Sequence, residues 1–170
     1  MDVMEALKGR QSVKAYLPAP IEKEKLEQIL QAGRLAPSAY NHQYRHFIVV
    51  DDPDLKKALC EEAGMQPMVQ QAPVVIALCI TEGTDFVMPC GEKNYPIDAG
   101  ICGAYMMLEA YEQGLGSCWL GVFDNAAAKQ ILNIPEDIKL ITILPFGYHD
   151  GTQERKPRKP LEETVSYNRF

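Results

Sequence analysis

Hydrophobic residues recur along the chain with two kinds of spacing. Steps of three and four residues predict a short helix capped by Asp2, a second helix that ends near Pro37, and a polar helix that begins at Pro53. Apolar, β-branched runs predict strands at 47–50 and 73–80. The run at 73–80 is apolar on both faces, which is typical of a strand buried in mid-sheet between two layers of helices.

The second half of the chain continues this alternation. The longest helix is predicted at about 97–113, and it is small or apolar nearly all round, so more than one neighbour must bury it; a subunit interface would do so. Further strands are predicted at 117–123 and 139–147, separated by a helix that is capped by Asn125 and reaches Leu132. Together these elements favour a three-layer α/β or α+β domain.

Composition and charge narrow the class of protein. The 170 residues are 46% hydrophobic and 24% charged, as in an ordinary globular domain. The formal net charge of −6 disfavours nucleic acid and anionic membrane surfaces as partners. There is no signal pattern at the start, no apolar run near the roughly 20 residues of a spanning helix, and no CxxC pair among five cysteines. We therefore expect a cytoplasmic protein with reduced thiols and no membrane association.

Familiar catalytic signatures are missing from the sequence. It has no phosphate-loop, dinucleotide-binding, nucleophile-elbow or zinc-protease motif. His42 and His46 lack the ligand pattern of a closed metal site, so we expect no metal. Acidic neighbours of Cys60 and Cys90 disfavour a thiolate, which argues against a catalytic nucleophile and predicts thiols that are structural or catalytically inert.

Basic residues concentrate at two distant points of this acidic chain. The first is the basic segment, residues 10–14, where Arg10, Ser12 and Lys14 would share one side of an extended chain. Two cations and a hydroxyl suit a phosphate or a ribityl chain, although a solvated loop explains the spacing equally well. The second point is Lys156 with Arg158, and both clusters can converge on one phosphate.

A polar loop, residues 37–43, directly precedes a predicted buried strand. Ser38, Asn41 and Gln43 offer it a hydroxyl and two amides that both donate and accept hydrogen bonds. Ordinary helix termination and turn chemistry is the alternative explanation of the same residues.

In order along the chain, these segments resemble the nitroreductase family of FMN-dependent oxidoreductases. Its members open with Arg-x-Ser-x-Arg/Lys, matched by the basic segment, and continue with Pro-Ser-x-x-Asn-x-Gln, matched by the polar loop. The similarity extends through 114–121, 144–148 and the Lys156-x-Arg158 tail, so it covers nearly the whole chain. Each motif alone is weak, but their order and spacing together are specific.

The resemblance implies an α+β, nitroreductase-like three-layer fold with a central, mostly antiparallel sheet flanked by helices. It also implies an intertwined homodimer with an FMN at each of two interface sites. The chain, 1–170, would then be a single FMN-binding domain, with 155–170 as a C-terminal tail that packs on the partner subunit.

Carried over by position, the family's FMN contacts come from four places. The basic segment would hold the ribityl phosphate and the pyrimidine edge, the tail would complete the phosphate clamp, the polar loop would come from the partner subunit, and a fourth segment would cover the ring. The implied cofactor-binding residues are Arg10, Gln11, Ser12 and Lys14, then Pro37, Ser38, Ala39, Asn41 and Gln43, then Leu120 and Gly121, and finally Lys156 and Arg158.

The activity implied by the resemblance is electron transfer from NADH or NADPH to a small-molecule acceptor such as a nitroaromatic or a quinone. It would proceed in two half-reactions through one pocket. Because reduced FMN itself supplies hydride or electrons, we expect no catalytic side chain.

Departures from the family pattern keep alternatives open. Tyr44-Arg45 stands where Pro-Trp often follows the loop, Lys14 replaces a more frequent Arg, and Gln66 is the only comparable polar donor before the central strand. These features allow an FMN-binding or sensing protein with little turnover. A reductase of the same fold with another acceptor reaction, such as dehalogenation or enone reduction, is a further alternative.

Overall fold

A computed structural model describes residues 2–151 and 156–170 of the chain. Six α-helices, four strands and two short 3₁₀ turns occur in these ranges. The helices are α1 (Val3–Gly9), α2 (Lys23–Leu35), α3 (Pro53–Glu61), α4 (Met68–Gln71), α5 (Asn94–Glu112) and α6 (Asn125–Ile131). The strands are β1 (Arg45–Val50), β2 (Val74–Ile80), β3 (Gly116–Ser117) and β4 (Lys139–Gly147), and the 3₁₀ turns are Ala39–Asn41 and Leu161–Glu163.

The four strands form one sheet in the order β1-β2-β4-β3, and every neighbouring pair is antiparallel. Ile76 of β2 faces Val49 on one side and Leu144 on the other. All seven residues of β2 are buried. This confirms the prediction of a central strand covered on both faces.

Alternate residues of β2 enter two separate hydrophobic cores. Val75, Ala77 and Cys79 pack with apolar residues of α3, α4 and α6 on one face of the sheet. Ile76 and Leu78 pack with residues of α2 and α5 on the other face. The result is three layers, helix, sheet and helix, as the α+β prediction required.

The longest helix begins earlier than its hydrophobic pattern indicated. α5 starts at Asn94, three residues before the predicted 97, and ends at Glu112. Its first turn contains Pro96, which fits there because the first N–H groups of a helix have no intrahelical partner to lose. In the described part of the chain, no helix is both long enough and apolar enough to cross a bilayer.

The strand predicted at 117–123 is largely wrong. Only Gly116–Ser117 pair with β4, and Leu120 adds a single isolated bridge to Ile143. The Thr142 hydroxyl donates to the Leu120 carbonyl at 2.7 Å, so a side chain occupies this acceptor. The backbone leaves the sheet beyond this point.

The cap of α6 also differs from the prediction. Asp124, not Asn125, accepts hydrogen bonds from the N–H groups of Ala126 and Ala127. The Asn125 side chain instead donates to the Leu140 carbonyl and ties the helix to β4. Either residue type can cap a helix, so the sequence alone did not distinguish the two.

The C-terminal residues 156–170 are exposed throughout. Tyr167 is 86% exposed and Phe170 fully so, with Leu161 also exposed in the short 3₁₀ turn. Arg155, where the tail was predicted to begin, lies outside the described residues. Packing of this tail on a partner subunit stays a prediction.

Two adjacent lysines of α3 offer a test of the core. Lys56 is only 6% exposed, and its ammonium group donates to the carbonyls of Ala72 and Pro73 at 2.8 and 3.0 Å. We expect Lys56→Met to lower the free energy of unfolding by about 1–3 kcal/mol, because two inward carbonyls lose their donor. The change in the free energy of unfolding is measured by urea denaturation with circular dichroism as the signal.

Lys57→Met is the matched control on the same helix. Lys57 is exposed and forms an i,i+4 ion pair with Glu61 on the helix surface, so its replacement should change stability by no more than about 0.5 kcal/mol. Equal effects of the two substitutions would contradict a structural role for the Lys56 ammonium group.

Candidate functional site

The basic segment lies extended along the sheet edge. Ser12 forms a parallel bridge with Ser117, and the Val13 N–H donates to the Ser117 carbonyl at 2.9 Å. Val13 is buried at 1% exposure, whereas Ser12 and Lys14 are exposed on the opposite side. The predicted alternation of an extended segment is confirmed for Ser12, Val13 and Lys14.

Tyr16 fixes the end of this segment to β4. Its hydroxyl lies 3.1 Å from the Val13 carbonyl oxygen and 3.2 Å from that of Pro145, so its single proton is shared between them. Burial, together with the nearby Cys118, raises the pKa of Tyr16 well above its usual value. The phenol therefore stays a donor at any physiological pH and holds the segment in place.

The basic segment passes beside a buried thiol. Cys118 follows Ser117, with which Ser12 forms its bridge, and is 5% exposed. Burial, the largest influence, raises the pKa of Cys118, while Ser12, Lys14 and Arg10 act in the opposite direction. Ser12 and Lys14 are exposed at this edge, and the segment's two cations and one hydroxyl are a donor set that suits an anion.

A cavity of about 210 Å³ lies on the Gln11 and Val13 side of the segment. Arg10, Gln11, Tyr111 and His149 contribute to its wall. A Cβ atom on Gly9 would sit 1.9 Å from the Tyr111 hydroxyl oxygen, so only glycine allows this approach of α1 to α5. Tyr111 and His149 were not among the predicted site residues, because neither belongs to a motif.

The polar loop has an unusual backbone. Tyr40, Asn41 and Gln43 have φ values of 51°, 58° and 59°, a left-handed region that residues with a Cβ seldom adopt. The Ser38 hydroxyl accepts from the Gln43 N–H at 3.1 Å, and the Gln43 amide donates to the Asn41 carbonyl at 3.2 Å. Backbone strain of this kind concentrates at functional sites.

The His42 ring contacts two aromatic rings of neighbouring residues. Its centroid lies 5.6 Å from that of Tyr40 and 4.9 Å from that of Tyr44. Within residues 2–151 and 156–170, no group of three His, Cys, Asp or Glu side chains is placed to hold a metal ion.

The two predicted groups of site residues lie at opposite ends of α5. The Ala39 N–H of the polar loop donates to Asp98, near the start of the helix, whereas Gly9, next to the basic segment, contacts Tyr111 near its end. Thirteen residues at a rise of 1.5 Å separate the two contacts by about 20 Å along the axis. One chain therefore does not bring the two motifs into one small pocket.

The remaining predicted residues lie in separate parts of the fold. The Leu120 side chain is 6% exposed and belongs to the core beneath the sheet, while Gly121 is exposed with open space above its Cα. Pro37 is exposed at the start of the polar loop, and Lys156 and Arg158 lie in the exposed tail.

Comparison with known proteins identifies the family. The nitroreductase family model matches residues 7–66 and 60–148, so the chain belongs to the nitroreductase family. Its fold agrees with that of a nitroreductase family protein from Clostridium difficile 630, at a TM-score of 0.87 and 32% identity over the full length of both chains.

Curated relatives are similar over most of their length. A protein of Archaeoglobus fulgidus named NADH dehydrogenase/NAD(P)H nitroreductase is 34% identical over 82% of this chain and 80% of its own. FMN reductase [NAD(P)H] of Bacillus subtilis is 29% identical over 95% of this chain and 71% of its own length. Iodotyrosine deiodinase of Thermotoga neapolitana is 25% identical over 96% of each chain.

The environments of the cysteines predict their reactivity. Burial raises the pKa of Cys79 and of Cys102 to about 11, and it raises the pKa of Cys118 as well. At pH 8 these buried thiols are protonated and shielded, whereas Cys90 is exposed. In a reaction with Ellman's reagent we expect Cys90 to react at once and the three buried thiols only after unfolding.

Cys90→Ser is the control for this assay, since it should abolish the fast phase and leave the slow phases unchanged. A fast phase that survives this substitution at the amplitude of one thiol would show that a second cysteine is accessible, either half-buried Cys60 or one of the three buried thiols.

Proposed function

We propose that this chain is an FMN-dependent NAD(P)H oxidoreductase that acts as a homodimer on small-molecule acceptors such as nitroaromatics or quinones. Membership of the nitroreductase family and the names of the FMN reductase and nitroreductase relatives support the class. The observation that carries the proposal is the extended basic segment at the sheet edge, which the bridge between Ser12 and Ser117 holds in place with Ser12 and Lys14 exposed.

The basic segment has the chemistry that FMN requires. Arg10 and Lys14 would neutralise the phosphate and hydrogen-bond the pyrimidine edge, and the Ser12 hydroxyl would donate beside them. When bound, FMN supplies the ring that accepts hydride from NAD(P)H and passes electrons on. The tail residues Lys156 and Arg158 would complete the phosphate clamp once the tail packs on the partner subunit.

The distance along α5 favours a site shared between two chains. Asp98, which contacts the polar loop, and Tyr111, which contacts Gly9 next to the basic segment, lie about 20 Å apart along the helix axis. The flavin would therefore be reached from the partner subunit by Ser38, Ala39, Asn41 and Gln43. Ile97 of α5 is 46% exposed, which leaves apolar surface for such a partner. The Gly121 region would cover the ring from the chain that holds the phosphate.

The reaction would follow two half-reactions through one pocket, with the nicotinamide leaving before the acceptor enters. This chain would orient both molecules and exclude water, without an acid–base residue of its own. A second candidate reaction is reductive dehalogenation, which the similarity to an iodotyrosine deiodinase supports.

An absorption spectrum of the purified protein tests the proposal. We expect a flavin band that bleaches on anaerobic addition of NADH or NADPH and returns on addition of a nitroaromatic or a quinone. If the flavin band returns on addition of a halotyrosine but not on addition of a nitroaromatic or a quinone, the result would favour dehalogenation. A flavin that stays oxidised would favour a binding or sensing role, and protein that takes up no FMN would refute both.

Arg10→Ala should weaken FMN binding by about 1.5–3 kcal/mol, the contribution of a hydrogen bond to a charged group. Titration of flavin fluorescence with the protein measures this. Lys8→Ala removes an exposed cation from the last turn of α1 and should leave the affinity unchanged. If both variants lose a similar amount of FMN affinity, the effect of Arg10 would be explained by long-range electrostatic attraction and not by a direct contact with FMN.

Mixed dimers extend this test to the shared site. Arg10→Ala and Asn41→Ala homodimers should each bind FMN weakly at both sites. A heterodimer of the two would combine both changes in one site and leave the other intact, so it should recover about one tightly bound FMN. Heterodimers that bind no better than the homodimers would place each site within a single chain.

A further inference from the structure

A polar cluster outside the proposed flavin contacts ties the polar loop to the rest of the domain. Asp98 of α5 accepts from the Ala39 N–H at 3.0 Å, and Asn94, one turn earlier, donates to its other carboxylate oxygen at 3.4 Å. Arg45, which begins β1, donates to the Arg34 carbonyl of α2 at 2.7 Å. These bonds hold the chain on both sides of the point where it enters the loop.

The centre of this cluster is buried and polar. Asn94 is 2% exposed, and its Oδ1 and the Nη1 of Arg45 have no partner among the described residues. Both residues, with Ser38 and Asp98, line a cavity of about 10 Å³. That volume suits a single water molecule, which can accept from the Arg45 guanidinium and donate to the Asn94 carbonyl.

Such a cluster has a task in this part of the fold. The left-handed conformations at Tyr40, Asn41 and Gln43 persist only where their surroundings hold them. The bonds from Ser38 and Gln43 are internal to the loop and fix its shape, but they leave its orientation free. The bond from Ala39 to Asp98 runs outward to α5 and sets that orientation.

We propose that Asp98 is a positioning residue for flavin binding, supported by Asn94, Arg45 and one buried water. It presents the polar loop to the flavin of the partner subunit without touching the flavin itself. The inference rests on the proposed function, because the polar loop matters here as a flavin contact. It also gives a role to Arg45, where the chain departs from the Pro-Trp that often follows this loop in the family.

The test compares Asp98→Ala with Asp98→Asn. Alanine removes the acceptor of the Ala39 N–H, whereas asparagine keeps an oxygen in its place. We expect Asp98→Ala to weaken FMN binding by about tenfold or more and to change the visible circular dichroism of the bound flavin. Asp98→Asn should recover most of the affinity and the wild-type spectrum.

Glu109→Ala is the matched control, since Glu109 is a half-buried carboxylate on the same helix that accepts from the Gln113 side chain. It should leave FMN affinity and spectrum unchanged. If Asp98→Ala does not yield folded protein, Ala39→Pro removes the N–H from the loop side at a position where a helical turn accepts proline, and it should weaken FMN binding similarly. Unchanged affinity in a folded Asp98→Ala or Ala39→Pro variant would overturn the proposal.

Amide hydrogen exchange separates this inference from the proposed function. In flavin-free protein, the Ala39 amide should exchange faster in Asp98→Ala than in wild type or Asp98→Asn, because its acceptor is gone. Wild-type protein that binds no FMN would refute the proposed function even if this exchange pattern appears. Wild-type protein that binds FMN, with no difference in exchange among the three proteins, would refute the role of Asp98 alone.

Discussion

The burial of β2 on both faces is the constraint on which the rest of the structure depends. Seven consecutive residues without access to water require a layer of helices on each side of the sheet. α2 and α5 supply one layer, and α3, α4 and α6 supply the other. Because α5 packs on this sheet, its position is fixed. The polar loop contacts one end of α5 and the basic segment lies near the other, so the sheet also determines how far apart these two segments lie.

The basic segment carries positive charge in a protein whose net charge is negative. The chain carries a net charge of −6, yet Arg10 and Lys14 both lie in one extended segment of five residues at the sheet edge. An acidic surface with a local basic point repels polyanions such as nucleic acids and still admits a small phosphate ester. This distribution suits a cofactor site better than a surface for large anionic partners.

Much of the fold could be predicted because hydrophobic spacing is a strong local signal. The continuous apolar run of β2 and the periodic face of α2 define these elements without help from distant residues. The errors have a different origin. The regular pairing with β4 ends at Ser117, after which only Leu120 adds an isolated bridge to Ile143, and this depends on the partner strand and the Thr142 hydroxyl. Whether Asp124 or Asn125 caps α6 likewise depends on a distant contact, because the Asn125 side chain donates a hydrogen bond to the Leu140 carbonyl.

The candidate site was predicted less completely, for a physical reason. Ordered motifs identified the basic segment and the polar loop, but spacing along a chain carries no information about the 20 Å that α5 places between them. Sequence patterns do not connect Asp98 with the polar loop, since its bond to Ala39 joins positions 59 apart in sequence. Tyr111 and His149 enter the picture only through the fold.

The position of α5 between the two motifs has a consequence for cofactor retention. If each site needs residues from two chains, FMN binding and subunit association are linked by mass action, and each strengthens the other. Flavin occupancy would then rise with protein concentration as well as with FMN concentration. In a cell, the abundance of the protein would itself determine how much of it carries the cofactor.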